Sequence, residues 1–599
     1  MPMNKPIKLS PRLTRTVSHY KRFDIEVPKE LLDTRPQKPD LRDFAYPLPQ
    51  KKNDYTCFAQ SNNGVMWYGS SGGVTRYCPD ADRVEDIVMY FSADRDLLDN
   101  NVRALVARDN GVWVLTDGGV THIDMMLVGG EQKADILRRE TLEYVARHDM
   151  VSQKDLGEPR NLKSRKAFGH SDNDGCFTAG FAIGEIFRYA TLKKEKGAYD
   201  KATLKAREIA LRASEATLLL MYISGRGDGF VARTYVTSAE PVPNDGLFYK
   251  KNGAKAVCIN TTASRKRNVV GVEVKADSPV PARLARHYRD EGFNDTDITY
   301  KGDTSSDEIT LHYLHILIAH EFLGSEDVEY DALLCTAAKN TLEHIIKHGY
   351  ELHECDGKPT TWAKWSPKYF ETGLGWADGC LNAAQLLMYL RVVMHITGES
   401  GMWQENYDKL IGMGYADLST KHWERFSQAS MMGKIDQRED LMYGDHMLAV
   451  AAFWGLITLE PEGENRDKFI RGFKSWRTTL APEHNPGYDF PFLLCCPEEE
   501  KDYDWDMAAR WFSRHNLSRL AAGVSLDKRL DIPEKHLWGG YKETSYLLMP
   551  DERFISKYDR NPLEFRNEDS GGTHCVESCY PYTFAYWIGR FFGFIDNKE

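Results

Sequence analysis

The sequence predicts a mainly α fold, an (α/α)6-type toroid of helical hairpins that carries a small N-terminal β domain. Three observations predict it. From about residue 131, apolar residues recur every three to four positions in roughly ten to twelve long segments that arrive in pairs. These segments share no fixed repeat period, which argues against an open solenoid and leaves a closed ring as the best architecture. Residues 54–124 have a different texture, with short β-branched and aromatic runs broken by glycine pairs.

Taken in order, residues 1–53 are proline-rich and charged and are expected to run extended over the surface. Residues 54–128 form the small β domain. Within it, GVMWYGSSGGVTRY around Trp67 and GVWVLTDGGVTHID around Trp113 repeat one pattern, at a spacing within the range of about 40–50 residues expected of propeller blades. Both resemble the repeats of two-component-regulator-type propellers, the first copy more closely. Two blades cannot close a ring, so a β layer docked on a larger body is expected. Residues 129–599 form the toroid, from EQKADILRRETLEYVARHDM to PYTFAYWIGRFFGF, and several segments end at glycine (Gly225, Gly324, Gly349, Gly398) as helix C-termini often do. The loops at about 226–300 and 350–376 are long enough to build a cleft. The first contains two alternating runs, KAVCINTT and NVVGVEVKA, that predict a hairpin.

Composition narrows the function classes. With 599 residues, 42% hydrophobic and 28% charged, the chain is globular. A formal net charge of −11 supplies no basic footprint for phosphate, which excludes nucleic acid as the expected partner. The first residues, MPMNKPIKLSPRLTRTV, lack the apolar stretch of a secretory signal, and the longest apolar runs, such as AVAAFWGLITL, fall short of the roughly 20 residues a bilayer requires, so no membrane is expected. Eleven scattered cysteines, Cys495 and Cys496 adjacent, fit reduced thiols and a cytoplasmic compartment.

The chemistry-bearing motifs precede helices. GHSDNDG supplies His170, Asp172, Asn173 and Asp174 before a long helix. One cap explains one carboxylate, whereas two carboxylates with an imidazole suit a barrel mouth. A calcium loop is rejected, because with Gly175 sixth the twelfth position is Phe181. GDTSSDEITLHYLH supplies Asp303, Asp307 and Glu308, with His312 and Tyr313 a turn further on; Ser305 and Glu308 have capping-box spacing. SGRGDGFVARTY offers Arg226 and Arg233 as forks for an acidic group. ECDGKPTTWAKWSP places Trp362 and Trp365 on a polar loop, and GLGWADGCLNAAQLL opens a helix with Asp378 and Asn382. YGDHMLA places Tyr443, Asp445 and His446 at another helix start. His574, Cys575 and Cys579 complete no tetrahedral set, so neither metal nor cofactor is expected.

SDNDG with its helix ending FRYA, GRGDGFVAR, DTSSDE, DGKPTTWAKWSP and YPYTFAYWIGRFFG together resemble a poorly characterised group of bacterial proteins. In that group, regulator-propeller-like repeats are joined to an (α/α) toroid similar to those of glycoside hydrolases and polysaccharide lyases. The resemblance covers most of residues 54–595 and implies a carbohydrate-active enzyme. The chemistry then leaves three readings. A glycoside hydrolase acting on neutral or acidic oligosaccharides would set Asp172 or Asp174, beside His170, opposite Asp303, Asp307 or Glu308. Asn173, Arg226, Arg233, Asp303, His312, Tyr313, Trp362, Trp365, Asp378 and His446 would then bind substrate. A lyase would abstract a proton beside a uronate carboxylate with His170, His312 or Tyr313 while Arg226, Arg233 and Asn173 neutralise that carboxylate. The third reading is a non-catalytic glycan-binding or sensor protein.

Overall fold

The computed structural model describes the whole chain except residues 1–5, 10–11, 21–26, 34–47, 52–53, 109, 165–171, 261–268, 426–437, 525, 527, 537–541, 545–546, 554–561, 564–571 and 597–599. Among the described residues, twelve helices make the body: α1 (Gly130–Glu140), α2 (Asp174–Lys196), α3 (Lys201–Leu219), α4 (Ser306–Phe322), α5 (Val328–Lys347), α6 (Gly373–Thr397), α7 (Met402–Gly412), α8 (Arg438–Leu459), α9 (Glu464–Leu480), α10 (Pro486–Cys495), α11 (Trp505–Ser513) and α12 (Tyr580–Phe592). The even-numbered helices form an inner ring: α2 packs on α4, α4 on α6, α6 on α8, α8 on α10, α10 on α12, and α12 back on α2. The odd-numbered helices lie outside. Closure uses both ends of the domain, because the outer partner of α12 is α1.

Residue pattern decides which helix goes where. α6 is buried almost continuously from Gly379 to Val393, and α4 from Glu308 to Ala319, as helices enclosed on all sides must be. α6 is the one helix among the described residues long and apolar enough to cross a bilayer; 83% of its most apolar window is buried inside the ring. An outer helix such as α9 instead buries one stripe, Phe469, Gly472, Phe473, Trp476 and Leu480, at the three- and four-residue spacing of a single face. Two glycines let α2 approach α12 closely. A Cβ at Gly180 would lie 2.7 Å from the Tyr580 ring, and one at Gly184 would lie 3.1 Å from the Phe584 backbone. Side-chain caps fix several helix starts: Asp200 on α3, Asp327 on α5, Thr372 on α6 and Asn485 on α10.

The β domain consists of two four-stranded antiparallel sheets. One runs β2 (Tyr55–Gln60), β3 (Met66–Ser70), β4 (Gly73–Tyr77), β5 (Val88–Phe91). The other has the order β1-β8-β7-β6, from β1 (Arg12–Tyr20), β6 (Val102–Arg108), β7 (Gly111–Thr116) and β8 (Gly119–Val128). Each repeated segment is one hairpin, and the sheets share a core that includes Trp67, Val74, Phe91, Val112 and Ile123. Part of the N-terminal segment, β1, pairs with β8.

Between α3 and α4 a five-stranded sheet is inserted, in the order β9-β13-β10-β11-β12: β9 (Tyr235–Val236), β10 (Phe248–Asn252), β11 (Lys255–Asn260), β12 (Glu273–Lys275) and β13 (Thr299–Lys301). β11 and β12 are the two alternating runs and pair antiparallel. A further hairpin, β14 (Glu351–His353) and β15 (Pro359–Lys364), follows α5. The eleven cysteines form no disulfide among the described residues.

Candidate active site

Five of the six inner helices carry an aspartate near their start: Asp174 on α2, Asp307 on α4, Asp378 on α6, Asp445 on α8 and Asp489 on α10. Anions are favoured in the first turn of a helix, where Asp174, Asp307 and Asp489 lie; Asp378 and Asp445 stand further in, as the sixth and eighth residues of their helices. The partners differ around the ring. Asp174 is buried, and its Oδ2 accepts from Arg147 Nη2 at 2.8 Å and Thr234 Oγ1 at 2.5 Å. Asp489 lies 2.6 Å from Arg477 Nη1 and accepts from the Tyr503 hydroxyl at 2.9 Å. Asp307, Asp378 and Asp445, on three consecutive inner helices, form no ion pair among the described residues.

Two of these aspartates act on the third. Burial, then the charges of Asp378 and Asp307, push the Asp445 carboxyl well above the usual carboxylate range. Burial also raises Asp378, opposed by the hydrogen bond that the Tyr369 hydroxyl donates to its Oδ2. Asp307 and Asp445 remain partly accessible and have no hydrogen-bond partner among the described residues. Direct packing of α4 on α8 across the ring brings them to the same mouth.

Glu308 lies beneath them, fully buried. The expected capping box does not form, since Ser305 makes no side-chain cap bond and Glu308 turns the other way. Its Oε2 accepts from Cys176 N, at the start of α2, at 2.8 Å, while Oε1 is buried without a partner. Burial, reinforced by Asp307 and Asp174 and opposed by Arg233, raises its pKa well above normal.

The two arginines are turned to protein acceptors. Arg233 donates from Nε to Asp303 O at 2.8 Å and from Nη1 to Asp172 O at 3.0 Å. Burial works against its charge, but Asp307, Asp172, Glu308 and Asp303 more than offset this and raise its pKa. The Arg226 fork grips Asp228, 2.5 Å away. Asp172 is held by Lys301 at 2.6 Å and by Arg233 at 3.3 Å. Asp303, at φ 55°, accepts from Thr361 N and Thr361 Oγ1, both at 2.8 Å. Asn173 stands at the N-cap of α2 without a side-chain cap bond, and His170 falls outside the described residues.

Four residues expected to line the substrate site are core residues. His312 sits one turn below Glu308, its ring nitrogens 2.6 Å from Glu308 O and 3.2 Å from Thr217 O, and burial lowers its pKa to about 4. Tyr313 stacks on Tyr389 at 4.4 Å and donates its hydroxyl to Ala338 O at 2.7 Å. Trp365 is fully enclosed and donates Nε1–H to Gln385 Oε1 at 2.8 Å. His446, next to Asp445, points into the core edge-on to Trp476, and burial lowers its pKa to about 3. Helical periodicity explains His312, Tyr313 and His446: five and six residues past Asp307, or one residue past Asp445, a side chain leaves the face of the mouth residue and meets a neighbouring helix.

By contrast, Trp362 on β15 is 44% exposed and Trp376, two residues before Asp378, is 36% exposed with the Arg425 guanidinium 5.0 Å from its ring. Asp445 and Tyr369 join the site beyond the residues the motifs favoured. The signal for Asp445 is the shared helix-start pattern, an aspartate followed by a long apolar run, seen in DEITLHYLHILIAH, DGCLNAAQLLMYL and DHMLAVAAFWGL.

No family model and no curated protein matches the sequence. Among solved structures, the chain is similar to a single mutant of a thermostable endoglucanase from Alicyclobacillus acidocaldarius, at 12% identity over 89% of this chain and 97% of that one, with a TM-score of 0.36. It is also similar to AaCel9A in complex with cellobiose-like isofagomine (13% identity, 89% and 94% covered, TM-score 0.36) and to a Bacteroides ovatus GH9 protein (8%, 89% and 93%, TM-score 0.33). These neighbours are glycoside hydrolases of family 9, and their TM-scores are too low to lend weight to any residue assignment.

Proposed function

We propose that the protein is a glycoside hydrolase that cleaves oligosaccharides with a carboxyl pair drawn from Asp445 and Asp307. The observation that carries this reading is the trio Asp307, Asp378 and Asp445, gathered at one mouth of the ring without ion pairs among the described residues. Glycosidic cleavage requires one carboxyl group that is protonated, to donate to the leaving oxygen, and one that is ionised, to attack the sugar or activate water. Asp445, pressed toward its neutral form by burial and by the charges of Asp378 and Asp307, suits the acid. Asp307, whose charge acts on the buried Arg233 guanidinium, is placed to serve as the second carboxyl group. Asp378, held by Tyr369, keeps negative charge near the acid and so keeps the proton on it. Trp362 and Trp376 offer exposed faces on which sugar rings stack.

Carboxylates beside the acid at the mouth repel a uronate, and the forks of Arg226 and Arg233 are engaged with protein acceptors, so neutral oligosaccharides are the preferred substrate class in this reading. The test is incubation with neutral and acidic glycans while recording new reducing ends and near-ultraviolet absorbance. Reducing ends without absorbance are expected, with kcat/KM falling about 10²- to 10⁴-fold in Asp445→Asn and Asp307→Asn. Absorbance growing on uronate substrates would replace the hydrolase by a lyase, and turnover unchanged in Asp445→Asn would remove Asp445 from the chemistry.

A further inference from the structure

At the far ends of α4 and α6 lies a second cluster unrelated to the carboxylate mouth. His320 and Glu321 occupy the last turn of α4, and His395 the last turn of α6. His320 is thirteen residues past Asp307, which at about 1.5 Å per residue places the cluster roughly 20 Å from it along the helix. One donor atom from each of His320, Glu321 and His395 lies within 4.8 Å of the other two. The imidazoles meet edge to face, with centroids 6.0 Å apart, and His395 Nε2 is 2.6 Å from Glu321 Oε1. The side chains are 24% (His320), 48% (Glu321) and 42% (His395) exposed, so water and ions reach them.

A second observation orients the set. Asp331, in the first turn of α5, accepts from His320 Nδ1 at 2.6 Å. That bond places the proton on Nδ1 and leaves the lone pair on Nε2, the arrangement in which a carboxylate behind an imidazole prepares it to bind a metal. Cys335 Sγ donates to Ile396 O, 3.4 Å away, and lies within 4.8 Å of donor atoms of His320 and Asp331, the carboxylate that already engages His320 Nδ1. The negative end of the α4 dipole adds to the attraction for a cation.

We propose that His320, Glu321 and His395 bind one divalent transition-metal ion of the zinc type, which fastens the end of α4 to the end of α6. Two imidazoles and a carboxylate match the borderline ions zinc, cobalt and nickel, whereas calcium and magnesium favour all-oxygen sets. The three donors leave a fourth position for water. Bonds of about 2.0–2.1 Å put tetrahedral donors about 3.4 Å apart, so the His395–Glu321 pair, now at 2.6 Å, has to open while the His320 donor, within 4.8 Å of both, settles to the same spacing. Because the ion binds only where the two helix ends lie side by side, it stabilises the folded chain by mass action.

The test uses the full chain stripped with a chelator and titrated calorimetrically with zinc chloride, alongside His320→Ala, His395→Ala, Asp331→Asn and, as a control at another histidine group, His348→Ala. One saturable zinc per chain is expected in the wild type and in His348→Ala. Binding should be lost in His320→Ala and His395→Ala and weakened about 10- to 100-fold in Asp331→Asn. Cobalt(II) should give visible absorption bands that disappear in the same variants, and melting curves without metal report whether each variant folds. Zinc uptake that is absent from the wild type, or identical in folded His395→Ala, overturns the proposal.

Discussion

Asp307, Asp378 and Asp445 resemble Asp174 and Asp489 in sequence, but Asp174 and Asp489 each face an arginine and the other three do not pair with one among the described residues. Local pattern marks an aspartate at a helix start ahead of an apolar run, which is how Asp174, Asp307 and Asp378 are legible. It carries no record of which of them an arginine neutralises, because Arg147 and Arg477 lie outside the helices that carry Asp174 and Asp489. Tyr369 tests the coupling within the trio. Its hydroxyl lowers the pKa of Asp378, so Tyr369→Phe lets Asp378 take up a proton more readily and relieves the repulsion on Asp445. The acid then loses its proton at lower pH. The basic limb of the kcat/KM profile should shift downward and the rate at neutral pH should fall about tenfold, while KM changes little. Superimposable pH profiles would mean that Tyr369 only packs.

At the scale of elements, the inner helices are legible because nothing competes with their apolar pattern, and the β11–β12 hairpin because its alternation is local. The start of α4 is the instructive exception. Ser305 and Glu308 have the spacing of a capping box, but Cys176 N, at the unsatisfied start of α2, takes the carboxylate instead. The junction of α9 and α10 contains another carboxyl group displaced from water. Glu483 is buried, accepts from Asn485 Nδ2 at 3.1 Å, lies 3.7 Å from Arg553, and has its pKa raised to about 7, chiefly by burial. Since its folded pKa exceeds its unfolded value near 4.5, the folded state binds the extra proton between the two. The contribution is complete at acid pH and is lost as pH rises through about 7, to the extent of about 3 kcal/mol. Glu483→Gln keeps the shape and cannot ionise. It should melt above the wild type at pH 8 and together with it at pH 4, and a constant difference across that range would reject the mechanism.

At the scale of the whole molecule, the ring and the β domain are joined through a buried charged seam rather than an apolar face alone. Glu552 accepts from the backbone N–H of Tyr90 on β5 at 3.2 Å, from Arg514 at 3.1 Å and from Arg529 at 3.2 Å, and the Arg529 guanidinium lies 4.7 Å above the Tyr90 ring. Asp551 holds Arg514 from the other side at 2.8 Å. Around this seam Tyr90 packs with Val524, Leu526, Ile532 and Leu548, residues that follow α11 in the chain. None of this is visible in a sequence pattern, since Tyr90 and its partners in the seam, Glu552, Arg529 and Val524, lie more than four hundred positions apart. Removing one member of a buried charge network leaves its partners uncompensated, at a cost of about 3–5 kcal/mol. In Glu552→Ala two arginines lose an anion and Tyr90 N loses its acceptor, so the loss should fall on the docking of the β domain while the helical ring keeps its own core. Calorimetry is expected to turn one unfolding transition into two, with the β domain melting first and the helical signal surviving to near the wild-type temperature. A single transition at the wild-type temperature would show that the apolar cluster around Tyr90 holds the two parts together without the seam.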